Sequence, residues 1–183
     1  MQERYDIIFA GIGGMGVLLS GELLTRSAGK QYEHVLWLPN YTTAQRGAPC
    51  DCIVVASDEE ILSPLIDQTS VVIIMSPSQL KAFEKRARPG GMIITETHGL
   101  DVKVEREDVK VMEIPALDTA IKRGNRMGAN MVTLGFLIGI TNMVSLEHVR
   151  QSIEEKFSGR KEALGSNLDL FLEGSDMGKD AFT

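Results

Sequence analysis

The sequence predicts an α/β fold, a Rossmann-like doubly wound and mostly parallel sheet followed by C-terminal helices. Short apolar runs suited to buried strands alternate with segments of helical spacing. A glycine-rich turn, Gly11-Ile-Gly13-Gly14-Met15-Gly16, joins the first strand to the first helix. The length of 183 residues predicts a single domain over residues 1–183.

The first half of the chain carries most of the predicted strands. Residues 5–10 form an apolar run that ends in glycines, and helix 17–28 follows because Val17, Leu24 and Ala28 share one face, with Gly21 allowing close packing. Later apolar or β-branched runs predict the other strands, at residues 34–38, 52–56, 71–75, 92–95 and 109–114. The connections are predicted as a polar loop at 39–49, a short acidic helix at 57–63, and a helix at 78–88 stopped by Pro89-Gly90-Gly91.

The pattern after Pro115 is helical. Helices are predicted at residues 117–124, 130–144, 146–157 and 160–172, and the tail at 174–183 is expected to fray. Helix 130–144 is apolar on nearly all sides, which predicts burial. Its Gly135 and Gly139 are expected to meet another backbone, within this chain or in a partner.

Composition excludes several classes of function. The net charge of −6 argues against binding to nucleic acid or to an anionic membrane, since both need clustered Lys and Arg. The N-terminus lacks the basic and apolar regions of a signal peptide, and the most apolar stretch, 131–140, is too short to cross a bilayer. These features predict a cytoplasmic protein with reduced thiols.

The glycine turn allows three interpretations. Its spacing suits a dinucleotide-binding dehydrogenase, because glycines let backbone N–H groups and a helix N-terminus face a phosphate. That interpretation requires an acidic residue at the end of the second strand, where the sequence has Trp37-Leu38-Pro39-Asn40. The turn also suits the phosphates of another ligand, or close packing of strand, helix or subunit alone.

Other candidate sites are weaker. Cys50 and Cys52 are expected to face the same side of a strand as buried, inert thiols, because a metal site needs about four ligands. The three histidines are scattered at positions 34, 98 and 148. The acidic run Asp58-Glu59-Glu60 is interpreted as a solvated helix start.

Four ordered segments resemble the gamma subunit of 2-oxoacid:ferredoxin oxidoreductases. They are the glycine turn through Val17, the loop Tyr41-Thr-Thr-Ala-Gln-Arg46-Gly47-Ala48, the helix start Gly128-Ala129-Asn130-Met131-Val-Thr-Leu-Gly135, and Lys156-Phe157 leading to Asn167-Leu168 and Gly174. The resemblance covers about the whole chain.

The resemblance implies a non-catalytic but required subunit of a complex that decarboxylates a 2-oxoacid oxidatively to acyl-CoA and passes electrons to ferredoxin. It implies partner alpha and beta subunits, with a delta subunit as a further candidate. Other subunits would hold thiamine diphosphate and the iron–sulfur clusters. The chain has no Gly-Asp-Gly thiamine motif and only two cysteines, whereas a cluster takes about four. The alternative is a stand-alone nucleotide-binding dehydrogenase or ligand-binding module.

The residues expected to bind CoA phosphate, another anion or a partner subunit follow from the glycine turn and the resemblance. They are Gly11, Gly13, Gly14, Met15, Gly16, Tyr41, Arg46 and Asn130. Two departures from the family pattern occur: Met15 stands where relatives usually have Gln, and Thr43-Ala44 and Ala48 replace Pro-Glu and a second Gly. Ala44-Gln45-Arg46-Gly47 is similar to the indolepyruvate enzyme, so pyruvate, 2-oxoglutarate, branched-chain and indolepyruvate substrates all stay open.

Overall fold

The computed structural model describes residues 4–41, 47–63 and 66–181, with the backbone alone for Tyr41. The described residues form one sheet with strands β1 (Arg4–Ile12), β2 (His34–Tyr41), β3 (Pro49–Ser57), β4 (Thr69–Ile74), β5 (Ala87–Glu96) and β6 (Lys110–Ile114). The α-helices are α1 (Val17–Ala28), α2 (Leu80–Phe83), α3 (Ala116–Lys122), α4 (Ala129–Thr141), α5 (Leu146–Phe157) and α6 (Lys161–Asp180).

The sheet is mixed, and its strand order is β2-β3-β1-β4-β5-β6. The strands β1, β4, β5 and β6 pair in parallel, whereas β3 is antiparallel to both of its neighbours, β1 and β2. Among the described strands, β3 therefore runs against the common direction of the other five. This confirms the mostly parallel α/β class, and it places the carboxyl ends of β1, β4 and β5 at one edge of the sheet.

The two faces of the sheet are covered unequally. One face carries the larger core, in which α1 and the C-terminal helices pack on side chains such as Ile7, Phe9 and Ile73. The opposite face carries a smaller core around Ile8 and Val72, with α2 and the segment after β5 packed on it. Alternating side chains of β1 thus enter different cores, as the two-residue period of a strand requires.

The first helix forms as predicted, from Val17 to Ala28. A Cβ on Gly21 would overlap the Sγ atom of Cys52 and would lie 2.9 Å from Nε1 of Trp37. The glycine therefore lets α1 lie directly on β2 and β3, which confirms its expected packing role. Helix α5 also has its predicted bounds, and the hydroxyl of Ser145 caps it by accepting from the amide of His148 at 3.2 Å.

Three local predictions are wrong. Residues 58–63 form irregular, mostly exposed chain rather than a short helix, and the amide of Glu59 donates instead to the hydroxyl of Ser57. Residues 77–86 form two 3₁₀ turns around the single turn of α2 rather than one continuous helix. Strand β5 begins at Ala87 and runs through Pro89-Gly90-Gly91, because the left-handed Gly90 (φ 73°) belongs to an irregular β4–β5 pairing.

The polar loop predicted at 39–49 is shorter than expected. Strand β2 continues to Tyr41, and β3 begins at Pro49. Pro39 is tolerated because β2 is the outermost strand of the sheet. On its open side no neighbouring strand among the described residues would accept the N–H that proline lacks. None of the helices in the described part of the chain is long and apolar enough to cross a membrane.

The C-terminal tail does not fray where predicted, because α6 continues to Asp180. Its Gly174 and Gly178 pack against α4, where a Cβ on either would overlap the carbonyl oxygen of Val132 or Phe136. In return, Gly135 and Gly139 of α4 pack against the carbonyl oxygens of Phe171 and Ser175. The backbone contact predicted for Gly135 and Gly139 is confirmed, and its partner is α6 of the same chain.

Candidate functional site

The glycine turn requires glycine at two of its positions. Gly14 has φ 98° and Gly16 has φ 76°, in the left-handed region that other L residues avoid. Gly16 is the N-cap of α1, so the chain turns sharply from β1 into the helix there. The turn places the start of α1 at the carboxyl edge of the sheet, as the sequence predicts.

Hydrogen bonds within the fold occupy two amides of this turn. The N–H of Gly13 donates to the carbonyl oxygen of Ala48 at 2.8 Å, and that of Met15 donates to the carbonyl oxygen of Ile12 at 3.2 Å. In the part of the chain that the structure describes, the first-turn amides of α1, at residues 17–19, have no acceptor. The donors available to an anion among the described residues are therefore the amides of the helix start together with those of Gly14 and Gly16, rather than those of the whole turn.

Asn130 lies against the start of α1, as expected. A Cβ on Gly16 would come within 2.6 Å of Cγ of Asn130, so the two residues are in close contact. The Asn130 side chain is 2% exposed, and its Nδ2 atom has no hydrogen-bond partner among the described residues. A buried amide without a partner costs free energy, and such a group is a ready donor to a ligand or partner.

Two predicted site residues cannot be compared fully with the structure. The backbone of Tyr41 pairs with Cys50, which in turn pairs with Gly11, so β2 does end at the same edge as the glycine turn. The side chain of Tyr41 and the whole of Arg46 lie outside the described residues, and their roles stay predictions. The loop nevertheless reaches the turn, through the contact between Gly13 and Ala48.

A cleft of about 110 Å³ opens between the glycine turn and the start of α4. Its walls come from the carboxyl ends of β1, β4 and β5 and from the starts of α3 and α4. The lining residues are Gly14, Met15, Met75, Glu96, Leu117, Arg126, Met127, Ala129 and Thr133. The position agrees with the general rule that open α/β sheets bind ligands at the carboxyl ends of their strands.

Glu96, which was not among the predicted site residues, contributes a buried carboxylate to this cleft. Its side chain accepts the amide of His98 on one oxygen and the amide of Leu117 on the other, both at 2.9 Å. Burial raises the pKa of this carboxyl, and the nearby Asp118 acts in the same direction, whereas the amide donors oppose the rise. The available signal was an acidic residue directly after the apolar strand predicted at 92–95.

The remainder of the wall is largely apolar. Met15, Met75, Leu117 and Met127 line it, and Met127 is 71% exposed at the rim. Of these four residues only Met15 was predicted from the sequence as a site residue, and Arg126 and Thr133 of the lining were not predicted either. Met15 cannot donate a hydrogen bond, so its thioether leaves this wall a surface for apolar groups.

The two cysteines share one face of β3, as predicted. Cys52 is fully buried, and burial raises the pKa of its thiol to about 12. Its Sγ–H donates weakly to the carbonyl oxygen of Val17 at 3.7 Å. Cys50 is only half-buried, so the expectation of burial is right for Cys52 alone. Among the described residues no group of His, Cys, Asp and Glu side chains could hold a metal ion.

The sheet order separates this fold from a dinucleotide-binding dehydrogenase. In that fold the second strand lies beside the first and carries the acidic residue that binds ribose. Here the antiparallel β3 lies between β1 and β2. The end of β2 carries Asn40, whose amide donates to Asp51 of β3 at 3.0 Å. The fold and site define an α/β domain with a glycine-turn cleft but without the dinucleotide arrangement.

The chain belongs to the pyruvate ferredoxin/flavodoxin oxidoreductase family, whose family model matches residues 6–177. It is 33% identical over 169 residues to the ketoisovalerate oxidoreductase subunit VorA of Methanothermobacter marburgensis, a match that covers 91% of this chain and 35% of VorA. It is 31% identical to the 2-oxoglutarate synthase subunit KorC of Methanothermobacter thermautotrophicus, covering 96% of this chain and 99% of KorC. These matches confirm the family resemblance. The chain spans about a third of the length of the VorA relatives.

Solved structures share the fold. A 2-oxoglutarate:ferredoxin oxidoreductase from Magnetococcus marinus, with 2-oxoglutarate, coenzyme A and succinyl-CoA bound, aligns with a TM-score of 0.89 at 24% identity. That alignment covers 97% of this chain and 31% of the other. The gamma subunit of a keto/oxoacid ferredoxin oxidoreductase from Geobacter sulfurreducens aligns with a TM-score of 0.82 at 18% identity, over 96% and 99% of the two chains.

Proposed function

We propose that the chain is the gamma subunit of a 2-oxoacid:ferredoxin oxidoreductase. In this role it supports the oxidative decarboxylation of a 2-oxoacid to acyl-CoA, with electrons passed to ferredoxin, and it is inactive alone. The observation that carries the proposal is the match to KorC, which extends over nearly the full length of both chains. The sheet order around β3 argues against the stand-alone nucleotide-binding alternative.

The partners in this proposal are the alpha and beta subunits, a delta subunit where the complex has one, and ferredoxin through the complex. Thiamine diphosphate and the iron–sulfur clusters belong to those partners. With only two cysteines in its sequence, this chain does not offer the four thiolates that a cluster takes. The contribution of this chain is binding and assembly at the carboxyl edge of its sheet.

Within the complex, the glycine turn contacts an anion, which is either a CoA phosphate or a carboxylate of the partner that holds thiamine. The first-turn amides of α1 and the unpartnered amide of Asn130 support this assignment, since the helix dipole and the buried donor both favour negative charge. Gly11, Gly13, Gly14, Met15 and Gly16 supply the backbone, and Tyr41 and Arg46 follow in the neighbouring loop. Arg46 either binds the anion together with the glycine turn or forms an ion pair with another subunit.

The test of function is reconstitution. The tagged chain is co-expressed with the alpha and beta subunits, and with delta where present. Ferredoxin reduction is then measured with CoA and each of pyruvate, 2-oxoglutarate, ketoisovalerate and indolepyruvate. We expect co-purification and activity with one of the four, and no activity without this chain. Full activity of the remaining subunits alone, or specific binding of NAD(P) by the purified chain, would refute the proposal.

The role of Arg46 has its own test. Arg46→Ala in the complex is compared with Arg88→Ala, a control at an exposed position near the start of β5, at the opposite edge of the sheet. A raised KM for CoA at constant kcat supports binding of the anion by Arg46. Loss of assembly supports the ion pair, and wild-type kinetics with wild-type assembly eliminate both roles.

A further inference from the structure

We infer that the cleft between the glycine turn and α4 receives an apolar side chain of a partner subunit, beside a hydrogen-bond donor that faces Glu96. This inference rests on the proposed function and names what its site contacts. The anion assigned to the glycine turn lies beside the cleft, at Gly16 and Asn130. The cleft itself has a different chemistry.

The first argument is the nature of the wall. Met15, Met75, Leu117 and Met127 surround the space with long, apolar side chains. A phosphate that entered would lose water without gaining donors from these groups. Methionine side chains are flexible and polarisable, and they adapt to an inserted apolar side chain. An apolar occupant therefore fits this part of the wall, whereas an anion would find a side-chain cation of the lining only in Arg126, at the exposed rim.

The second argument is charge. The carboxylate of Glu96 is 5% exposed and lines the cleft. Each of its oxygens accepts one backbone N–H and keeps further acceptor capacity. The other charged groups near it are Asp118, which adds negative charge, and Arg126, which lies at the exposed rim. The group that faces Glu96 from the partner must consequently be a donor, such as an amide, a hydroxyl or an ammonium.

The third argument is the rim. Met127 is 71% exposed on the short turn before α4, and it is among the largest exposed apolar side chains of the described residues. Gly14, on the other side, is exposed, and apart from its chain neighbours no atom of the described residues lies within 4 Å of its ideal Cβ position, so a partner backbone can approach it closely. Apolar anchors that enter a pocket with a polar rim carry most of the binding energy in protein interfaces.

The fourth argument comes from the length of the relatives. In VorA and in the Magnetococcus chain, the matching segment makes up 35% and 31% of a longer chain. In those proteins this domain is joined covalently to further protein. The partner subunit proposed here would take the place of that additional chain, and the open cleft is a surface that it can cover.

The test uses the co-expressed complex. Met127→Asp places a charge at the rim without disturbing a buried position, and Met127→Leu keeps the apolar character. The matched control is Leu62→Asp, at a side chain that is 87% exposed near the opposite edge of the sheet. We expect Met127→Asp to weaken assembly by about tenfold or more, whereas Met127→Leu and Leu62→Asp assemble like wild type. Thermal melts of each isolated chain verify that folding is unchanged.

Several outcomes overturn the inference. Wild-type assembly of Met127→Asp overturns it outright. If Met127→Asp assembles but raises the KM for CoA at constant kcat, the occupant is a small molecule rather than a protein side chain. If the wild-type chain assembles with no partner subunit, the proposed function fails together with this inference. If the wild-type chain assembles with its partner subunits and Met127→Asp assembles equally well, the proposed function stands and only this inference is refuted.

Discussion

The seam between α4 and α6 makes the sharpest prediction for stability. Four glycines, Gly135, Gly139, Gly174 and Gly178, each lie where a Cβ would overlap a carbonyl oxygen of the facing helix. At Gly135 the obstacle is the carbonyl of Phe171, with the amide nitrogen of Ser175 at 2.8 Å. Because backbone atoms of a helix cannot rotate away, Gly135→Ala forces the two helices apart.

The magnitude follows from two opposing terms. Overpacking costs about 1–3 kcal/mol, and a gap of about 0.5–1 Å along the seam forfeits a quarter to a half of each dispersion contact. Alanine recovers about 1 kcal/mol through its higher helix propensity. Since the obstacle is backbone, we expect an overpacking cost in the upper part of that range of about 1–3 kcal/mol. After the gain in helix propensity, the free energy of unfolding should fall by about 2 kcal/mol. For a chain of this length, the melting temperature falls by about 4–8 °C.

Gly165→Ala is the matched control. Gly165 lies on the same helix, α6, and apart from the backbone of its own helical turn no atom of the described residues lies within 4 Å of its ideal Cβ position. Only the higher helix propensity of alanine then acts, so the free energy of unfolding of this variant should rise by about 0.5–1 kcal/mol. Urea unfolding followed by circular dichroism measures both variants, and Gly135→Leu should be worse than Gly135→Ala. A Gly135→Ala protein as stable as wild type would refute the reasoning.

Three further predictions concern the stability or reactivity contributed by individual side chains. Ser175 buries a hydroxyl without a partner among the described residues, so Ser175→Ala should raise the unfolding free energy by about 1 kcal/mol, and a loss of stability in urea titrations contradicts this. The pKa of Glu96 is raised above 4.5, so the folded state holds its proton more tightly, and stability should fall as pH rises from about 4.5 through the folded pKa. Glu96→Gln should reduce that slope, and an unchanged slope in urea titrations from pH 4 to 8 speaks against the assignment. The pKa of Cys52 is raised to about 12, so a thiol reagent should modify only Cys50 in the native chain, and a Cys50→Ser variant that still reacts before unfolding contradicts the assigned burial.

The sequence by itself determined the elements whose information is local. The glycine turn and α1 have their predicted positions, because positive φ at Gly14 and Gly16 and one apolar helix face are encoded within a few residues. The cap at Ser145 and the periodicity after it fix α5 in the same way. The family resemblance also came from short motifs, and the comparisons confirm it.

Only the tertiary structure decided what depends on long-range pairing. The antiparallel insertion of β3 between β1 and β2 has no local signature, yet it replaces the dinucleotide arrangement. The predicted tail became helix because Gly174 and Gly178 gain a packed partner in α4, which compensates their low helix propensity. Glu96 joined the site because parallel strands end at one edge, and which ends meet is set by the sheet order, which strand periodicity does not specify.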